Sequence, residues 1–394
     1  MNKNDIYLAS KPRYEILDGL RGVASMLVVA FHLFETYSAG NPVNQILNHG
    51  YLAVDFFFVL SGFVVGYAYD DRWDRMSTWN FIKRRLVRLH PMVIFGAFFG
   101  LLLFYFGDSP MFSLIGETPW YKPLILFLIA CTMIPVNASM DIRGWSETYP
   151  LNGPAWTLML EYIANLLYAL VIRHLPKIAL AILVGIFACF TIMLCMNIDP
   201  LGITGPHQYA AYTVIGGWGI DACQLWIGFI RLLYPFFCGL LISRMGKFIK
   251  VKAGYWVCAV IIAICLCMPR VGGANPENFW MNGVYEAICI LLVFPLVVTI
   301  GAGSQVTGKK SFAFCKWMGE ISFPLYITHY PLIYLQMSWV AAHESKPLGM
   351  HIFVSVCIFI LAILVAWGSY KLYDVPVREW LKSKLFVLAK KENK

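Results

Sequence analysis

The sequence predicts an all-α protein, a polytopic integral membrane helix bundle of about ten transmembrane helices. Of its 394 residues, 59% are hydrophobic and only 13% are charged, whereas about a quarter of the residues in soluble domains are charged. A soluble fold of this length could not bury so much apolar surface. The apolar residues also occur in runs of about 18 or more, the length that an α-helix needs to cross a bilayer.

Ten such runs define the predicted spans. The first is not a cleavable signal peptide, because it carries a histidine, lacks a small-residue cleavage pattern and is followed at once by further spans. The apolar segment 123–134 is bounded by prolines and is too short to span, so we expect it to be re-entrant or interfacial within an external region, 108–153. The spans lie near residues 19–37, 51–69, 91–107, 154–172, 178–197, 225–243, 254–269, 282–303, 318–340 and 350–372.

Positive charge predicts the orientation of the chain. Most of the 31 Lys and Arg residues fall in six clusters, and the positive-inside rule places all six in the cytoplasm when there are ten spans. We therefore expect one domain over residues 1–394 in the cell membrane, with a cytoplasmic amino-terminal segment, 1–18, and a cytoplasmic basic tail, 373–394. The net charge of +9 then needs no nucleic-acid partner, and the cysteine spacings predict no metal site.

Arg21 and His32 lie within the first span, where hydrocarbon disfavours ionisable groups. On a helix they are roughly 16 Å apart along the axis, which puts Arg21 near the cytoplasmic face and His32 near mid-bilayer. His329 follows Pro324 in the ninth span at a similar depth, so the two histidines can converge. Two interpretations stay open: a functional pair, or two hydrogen-bonded core histidines.

A basic segment, FIKRRLVRLHP, directly precedes the third span. Arg85 and Arg88 are three residues apart and share a face if the segment is helical, which makes them, with Arg84, a candidate anion clamp. The alternative is a cytoplasmic anchor that contacts lipid phosphates and does nothing else.

The second span carries Asp55 near its external end and Ser61 in its middle. Gly62 and Gly66 are four residues apart, a spacing that permits close helix packing. The Ser61 hydroxyl can serve a ligand, or it can bond back to its own helix.

Glu161 lies in the fourth span, which also begins with Trp156. Entering from outside, Glu161 is expected in the outer half of the bilayer, where a carboxylate is paired with a cation or lines a wet cavity. Arg231 enters from the same side and is the predicted partner. Trp156 and Glu161 are five residues apart, roughly 140° around a helix, so they need not share a surface.

The motifs in order and spacing resemble the membrane-bound acyltransferase family 3 proteins, over about residues 15 to 375. The resemblance rests on LDGLRG followed by His32, VDFFFVLSGF, RRLVRLHP, PAWTLMLEY and SFPLYITHYPL. It implies an enzyme that transfers an acetyl or other short acyl group from cytoplasmic acyl-CoA, without a metal, to a hydroxyl of a glycan or related acceptor. It also implies that His32 is catalytic, that Arg21 supports it, and that Arg85 and Arg88 contact CoA phosphates.

The candidate site residues fall into three groups. The predicted catalytic residues are His32, Arg21 and Glu161; the predicted acyl-CoA-binding residues are Arg84, Arg85, Arg88 and Ser61; and the predicted acceptor-binding residues are Trp156, Arg231, His329 and Asp55.

The chemistry leaves alternatives open. His32 can act as a general base on the acceptor hydroxyl, or it can form a transient acyl-histidine. Buried His, Glu and Arg also occur in proton-coupled secondary transporters, and a non-catalytic acyl-CoA or lipid receptor is a third possibility.

Overall fold

The computed structural model describes residues 11–205 and 210–386, and within them every regular element is helical. The outermost parts of the predicted terminal segments, 1–10 and 387–394, lie outside the described residues. The helices are α1 (Glu15–Glu35), α2 (Ala53–Tyr69), α3 (Thr78–Phe104), α4 (Leu114–Glu117), α5 (Tyr121–Ala130), α6 (Ala155–Leu170), α7 (Lys177–Cys195), α8 (Ala222–Met245), α9 (Gly254–Cys267), α10 (Phe279–Ile288), α11 (Phe294–Gly303), α12 (Lys309–Ala342), α13 (Leu348–Ser369) and α14 (Val375–Leu385).

Each of the ten predicted spans contains a helix, but length and composition qualify only some of them to cross a membrane. Among the described residues, seven segments are long and apolar enough. Helices α6 and α9 have only 16 and 14 residues, and α12, with 34 residues, carries many polar groups. The seven segments are Glu15–Ser38, Gly50–Tyr69, Thr78–Phe104, Lys177–Cys195, Ala222–Met245, Pro276–Gly303 and Leu348–Leu385.

Helix α3 begins well before the predicted start of the third span at residue 91. The Ser77 side chain accepts a hydrogen bond from the backbone N–H of Asn80 and caps the helix there, and Pro91 lies inside it. The basic segment is therefore helical, so its arginines project from a rigid element. The short helix α5 has 10 residues and packs against α3, consistent with a segment too short to span.

Glycines bring two pairs of helices into close contact. A Cβ at Gly62 would collide with the carbonyl of Phe236, and one at Gly66 would press against Ser243, so α2 packs tightly along α8. Gly22 has the same role where α1 packs against α12. The predicted small-residue spacing in the second span is thus a packing feature.

The centre of the bundle is formed by α1, α2, α8 and α12, whose inward faces share the buried core. Helix α7 and the segment Leu348–Leu385, which contains α13, lie at the periphery. Only 22% and 11% of the residues in their most apolar 18-residue stretches are buried. Such large exposed apolar faces are expected of helices that contact lipid.

Candidate functional site

A cavity of about 310 Å³ enters the bundle between α1, α2, α3, α6 and α12. It lies at the end that holds the amino-terminal segment, the α2–α3 loop and the carboxyl-terminal helix. Eight basic side chains line it against four acidic ones, so it is positive overall. The basic residues are Lys11, Arg13, Arg21, Arg72, Arg84, Arg85, Arg88 and Arg378, and the acidic residues are Asp18, Glu161, Glu320 and Asp374.

The arginines of α3 do not all serve the cavity in the same way. Arg88 is exposed and faces the cavity. Arg85 is buried and donates from Nη2 to Oε1 of Glu161 at 2.7 Å. Arg84 is buried with its guanidinium 5.3 Å from the ring centre of Phe386. The predicted two-pronged clamp of Arg85 and Arg88 stays a prediction: both side chains line the cavity, and Arg85 is bound to a carboxylate there.

Glu161 lies on the cavity wall and is bonded by two other helices. Besides Arg85, the Ser61 hydroxyl donates to Glu161 Oε1 at 3.1 Å. The hydroxyl of Ser61 thus reaches across to α6. The predicted pairing of Glu161 with Arg231 is wrong, because the α6 carboxylate faces the basic cavity, where the long side chain of Arg85 reaches it.

Arg231 instead pairs with Asp55, at 2.7 Å between Nη2 and Oδ2. The guanidinium also donates to the carbonyls of Tyr51 and Gly216, at 2.7 and 3.1 Å. Trp156 lies over it, 5.5 Å from ring centre to Cζ. None of these three predicted acceptor-binding residues is among those that line the cavity. Asp55 and Arg231 instead tie α2 to α8, and Trp156 packs on Arg231 from α6.

Arg21 joins α1 to α12 at the cavity wall. Its Nε donates to the Ser322 hydroxyl at 2.7 Å, and its Nη2 donates to the Gly319 carbonyl at 3.1 Å. Asp18, one turn earlier, forms an ion pair with it at 3.2 Å. Arg21 therefore fixes the position of α1 relative to the helix that carries His329.

The structure brings His32 and His329 together. Their ring centres are 5.4 Å apart, with 30° between the ring planes. The Tyr330 ring packs edge-on against His32 at 4.8 Å. The side chain of His32 is 17% exposed, whereas His329 is fully buried. The two imidazoles thus form a stacked pair that can be approached only on the His32 side.

A wall separates the cavity from the histidine pair. On α1 the innermost cavity residue is Ser25, and His32 lies roughly 10 Å further along the axis. Tyr326 lines the cavity and is 5.9 Å from the His329 ring. Its hydroxyl is hydrogen-bonded to Thr157 at 2.9 Å, and its ring packs edge-on against Phe57 at 5.5 Å. We call Phe57, Thr157 and Tyr326 the inner wall.

Aromatic contacts lead away from the histidine pair into the predicted external region. Tyr330 packs against Tyr334 at 4.7 Å, and the Tyr334 hydroxyl donates to Glu147 Oε2 at 2.6 Å. Arg143 lies 3.7 Å above the Tyr334 ring. Burial raises the pKa of the Glu147 carboxyl to about 7, although the Tyr334 bond acts in the opposite direction.

Sequence reasoning missed Glu35 and the inner wall. Glu35 Oε2 is 2.7 Å from His32 Nδ1, and the spacing of three residues on one helix was a signal that could have identified it. Tyr326 and Thr157 carry no such signal, because they meet only through the packing of α6 on α12. Within residues 11–205 and 210–386, no cluster of three or more His, Cys, Asp or Glu is placed to hold a metal.

The fold and site define a helical bundle with a basic cavity directed toward a buried imidazole pair. The chain matches the family model described as "Acyltransferase domain" over residues 14–371. It belongs to that family, the membrane-bound acyltransferase family 3 that its motifs resemble.

Several curated proteins are similar to the chain at low identity. It is 24% identical to the peptidoglycan O-acetyltransferase OatA of Listeria monocytogenes over 388 residues, covering 92% of this chain and 55% of that protein. It is 25% identical to the O-acetyltransferase OatA of Staphylococcus aureus, covering 93% and 58%. It is also 25% identical to the acyltransferase MdmB of Streptomyces mycarofaciens, covering 82% and 79%.

The chain therefore spans little more than half the length of the two O-acetyltransferases. No solved structure matches it significantly.

Proposed function

We propose that this protein is an integral membrane O-acyltransferase that moves an acetyl or other short acyl group from cytoplasmic acyl-CoA to a hydroxyl of a glycan or related acceptor. Family membership supports acyl transfer. Two of the relatives are named O-acetyltransferases, one of them for peptidoglycan, which supports a hydroxyl acceptor and a glycan. The exposed apolar faces of α7 and α13 support a location in the cell membrane.

The observation that carries the proposal is the basic cavity. Its volume of about 310 Å³ is within the range of small-molecule sites. The excess of arginine at its entrance suits the phosphates of CoA, which guanidinium groups bind in a bidentate manner. The predicted topology places this entrance in the cytoplasm, where acyl-CoA is present. Of the three arginines on α3, Arg88 is best placed for a phosphate, because it alone of the three is exposed within the cavity.

The reacting end of the donor would lie at the inner wall. A long pantetheine arm can follow α1 inward from Arg21, past Ser25, to the place where Tyr326 contacts both the cavity and His329. We propose that side-chain rotation at the inner wall then lets the thioester meet His32. Both chemical routes stay within the proposal: His32 as general base, or as a transient acyl carrier.

The remaining candidates take revised roles in this proposal. Glu161 holds Arg85 and Ser61 in place on the cavity wall, while Arg21 fixes α1 against α12. His329 packs beside His32, where it can orient the acceptor hydroxyl. Asp55 and Arg231 support the site by holding α2 against α8, and Trp156 packs on Arg231 from α6.

The proposal is tested with purified protein in liposomes that contain radiolabelled acetyl-CoA and a hydroxylated acceptor. We expect label on the acceptor from the wild type, and a loss of about a thousandfold or more from His32→Ala, as when a catalytic base or nucleophile is removed. His343→Ala is the matched control, because His343 lies at the end of α12, where its ring bonds to the Trp339 carbonyl and stacks on the Trp339 ring. Undiminished transfer by His32→Ala would contradict the mechanism.

The same preparation separates the other classes of function. A transporter would move label across the bilayer without forming an ester, and a receptor would bind acetyl-CoA without turnover. We expect Arg88→Ala to raise the KM for acetyl-CoA about tenfold, the effect of losing one charge-assisted bond. Arg75→Ala is its control, since Arg75 is exposed outside the cavity.

A further inference from the structure

Glu35 ends α1 one helical turn beyond His32. Its Oε2 lies 2.7 Å from His32 Nδ1, a distance typical of a charge-assisted hydrogen bond. A carboxylate can only accept, so Nδ1 of His32 carries the hydrogen in this contact. In a neutral imidazole, Nε2 is then the nitrogen with the free lone pair.

His329 shows the same division of its two ring nitrogens. Its Nδ1 is 2.8 Å from the backbone carbonyl of Tyr326, and a carbonyl also accepts only. Nδ1 of His329 therefore donates, and Nε2 is left as the acceptor. That Nε2 is fully buried and has no hydrogen-bond partner among the described residues, which is costly unless something else bonds to it.

Both imidazoles thus commit Nδ1 to the protein, and His32 is the one that is partly exposed to a ligand. The carboxylate that fixes His32 is 25% exposed and the imidazole is 17% exposed. Both lie beyond the inner wall, away from the basic cavity. A molecule that reaches the histidine pair from this side would therefore meet His32 without entering the cavity.

We propose that Glu35 is a positioning residue for acyl transfer, holding His32 in the tautomer whose Nε2 takes the proton of the acceptor hydroxyl. The inference rests on the proposed O-acyltransferase function and deepens it. The acceptor oxygen forms a bond to the acyl carbon as its proton passes to His32 Nε2. The thioester C–S bond breaks, and the proton then passes to the departing CoA thiolate.

Substitution of Glu35 by glutamine supplies the main test. The amide is nearly the same size, but it can turn its NH2 toward Nδ1 and stabilise the other tautomer. We expect the kcat of Glu35→Gln to fall about a hundredfold, less than the roughly ten-thousandfold loss known when a catalytic imidazole takes the wrong tautomer. The KM for acetyl-CoA should change less than about twofold, since the cavity is untouched. Glu35→Asp, which keeps the carboxylate, should recover most of the activity.

A double-mutant cycle distinguishes positioning from a general structural effect. On a His32→Ala background, Glu35→Gln should cause no further loss, because there is no imidazole left to orient. Glu117→Gln is the matched control, an exposed carboxylate at the end of α4, and should leave kcat and KM unchanged. Acetyl-CoA binding and the melting temperature are measured for every variant.

The outcomes distinguish failure of the role proposed for Glu35 from failure of the proposed O-acyltransferase function. If the wild type transfers no acyl group, the proposed function fails. If the wild type is active and Glu35→Gln matches it, only the role of Glu35 is refuted. A Glu35→Gln protein that also loses acetyl-CoA binding or melting temperature, or an additive cycle, would show a structural residue and overturn the inference.

Discussion

Two arginine–carboxylate pairs join helices in this bundle with the same contact distance and different surroundings. Asp55–Arg231 and Glu161–Arg85 both measure 2.7 Å. In the first pair the side chains are 1% and 2% exposed, and the arginine also holds two backbone carbonyls. In the second, Glu161 is 19% exposed and lies on the cavity wall. The first pair is sealed and can only hold helices together, whereas the second can exchange contacts with an anion.

The largest effect is expected at the sealed pair. Asp55→Asn leaves the Arg231 charge buried without its counter-ion, and breaking such a pair typically costs about 3–5 kcal/mol. We expect a large loss of folded protein and of melting temperature in detergent. Asp71→Asn serves as the control, because Asp71 pairs with Lys11 while largely exposed, where such pairs contribute little. If Asp55→Asn and Asp71→Asn lowered the melting temperature equally, burial of the Asp55–Arg231 pair would not explain its contribution to stability.

The open pair should respond in activity more than in stability. Glu161→Gln frees Arg85 from its carboxylate, yet the guanidinium is beside a cavity in which water or a ligand can solvate it. We expect acyl transfer to fall about a hundredfold, in line with loss of a bond between charged groups. The free energy of unfolding should fall by less than for Asp55→Asn. A Glu161→Gln protein that unfolds as readily as Asp55→Asn would show that this pair is structural too.

Glu147 extends the comparison to a buried carboxylate that has a tyrosine as its hydrogen-bond partner. The hydroxyl of Tyr334 donates to it, in place of the arginine of the other two pairs. Burial raises its pKa from 4.5 to about 7, so the folded protein keeps a proton that the unfolded chain has lost. The stability from that proton is fully present below pH 4.5 and is lost as the pH rises to about 7.

We expect about 3 kcal/mol of stability to be lost over that window in the wild type. Glu147→Gln should flatten the dependence when chemical unfolding is followed between pH 5 and 8. Glu117→Gln, at an exposed carboxylate, should leave the wild-type slope. An unchanged slope in Glu147→Gln would mean that other groups cause the pH dependence.

The helices were predictable because hydrocarbon thickness and run length constrain them directly. The start of α3 was not, because hydropathy cannot distinguish a loop from a helix that continues into a polar layer; the Ser77 cap decides it. The shortness of α6 and α9 was also missed, since apolar loop residues extend the runs on which their predicted lengths depend.

In the site, the depth of a residue along its helix was easier to predict than its partner. His32 and His329 were expected to converge because depth along two helices follows from counting residues. The pairing of Glu161 with Arg231 failed because a pairing depends on the rotation of each helix and on side-chain reach. Residue spacing alone gives neither the rotation nor the reach. In addition, Arg85 lies in the first part of α3, which precedes the predicted start of the third span at residue 91.

The inner wall of Phe57, Thr157 and Tyr326 has a consequence for the cell's energy supply. A wet, basic cavity that continued through the bundle would conduct ions and discharge the gradient that drives ATP synthesis. Tyr326 lines the inner end of the cavity and the histidines lie beyond it, so the cavity lining among the described residues does not include the histidine pair. Under the proposed function, the wall would let an acyl group pass from donor to acceptor without an open ion path through the bundle.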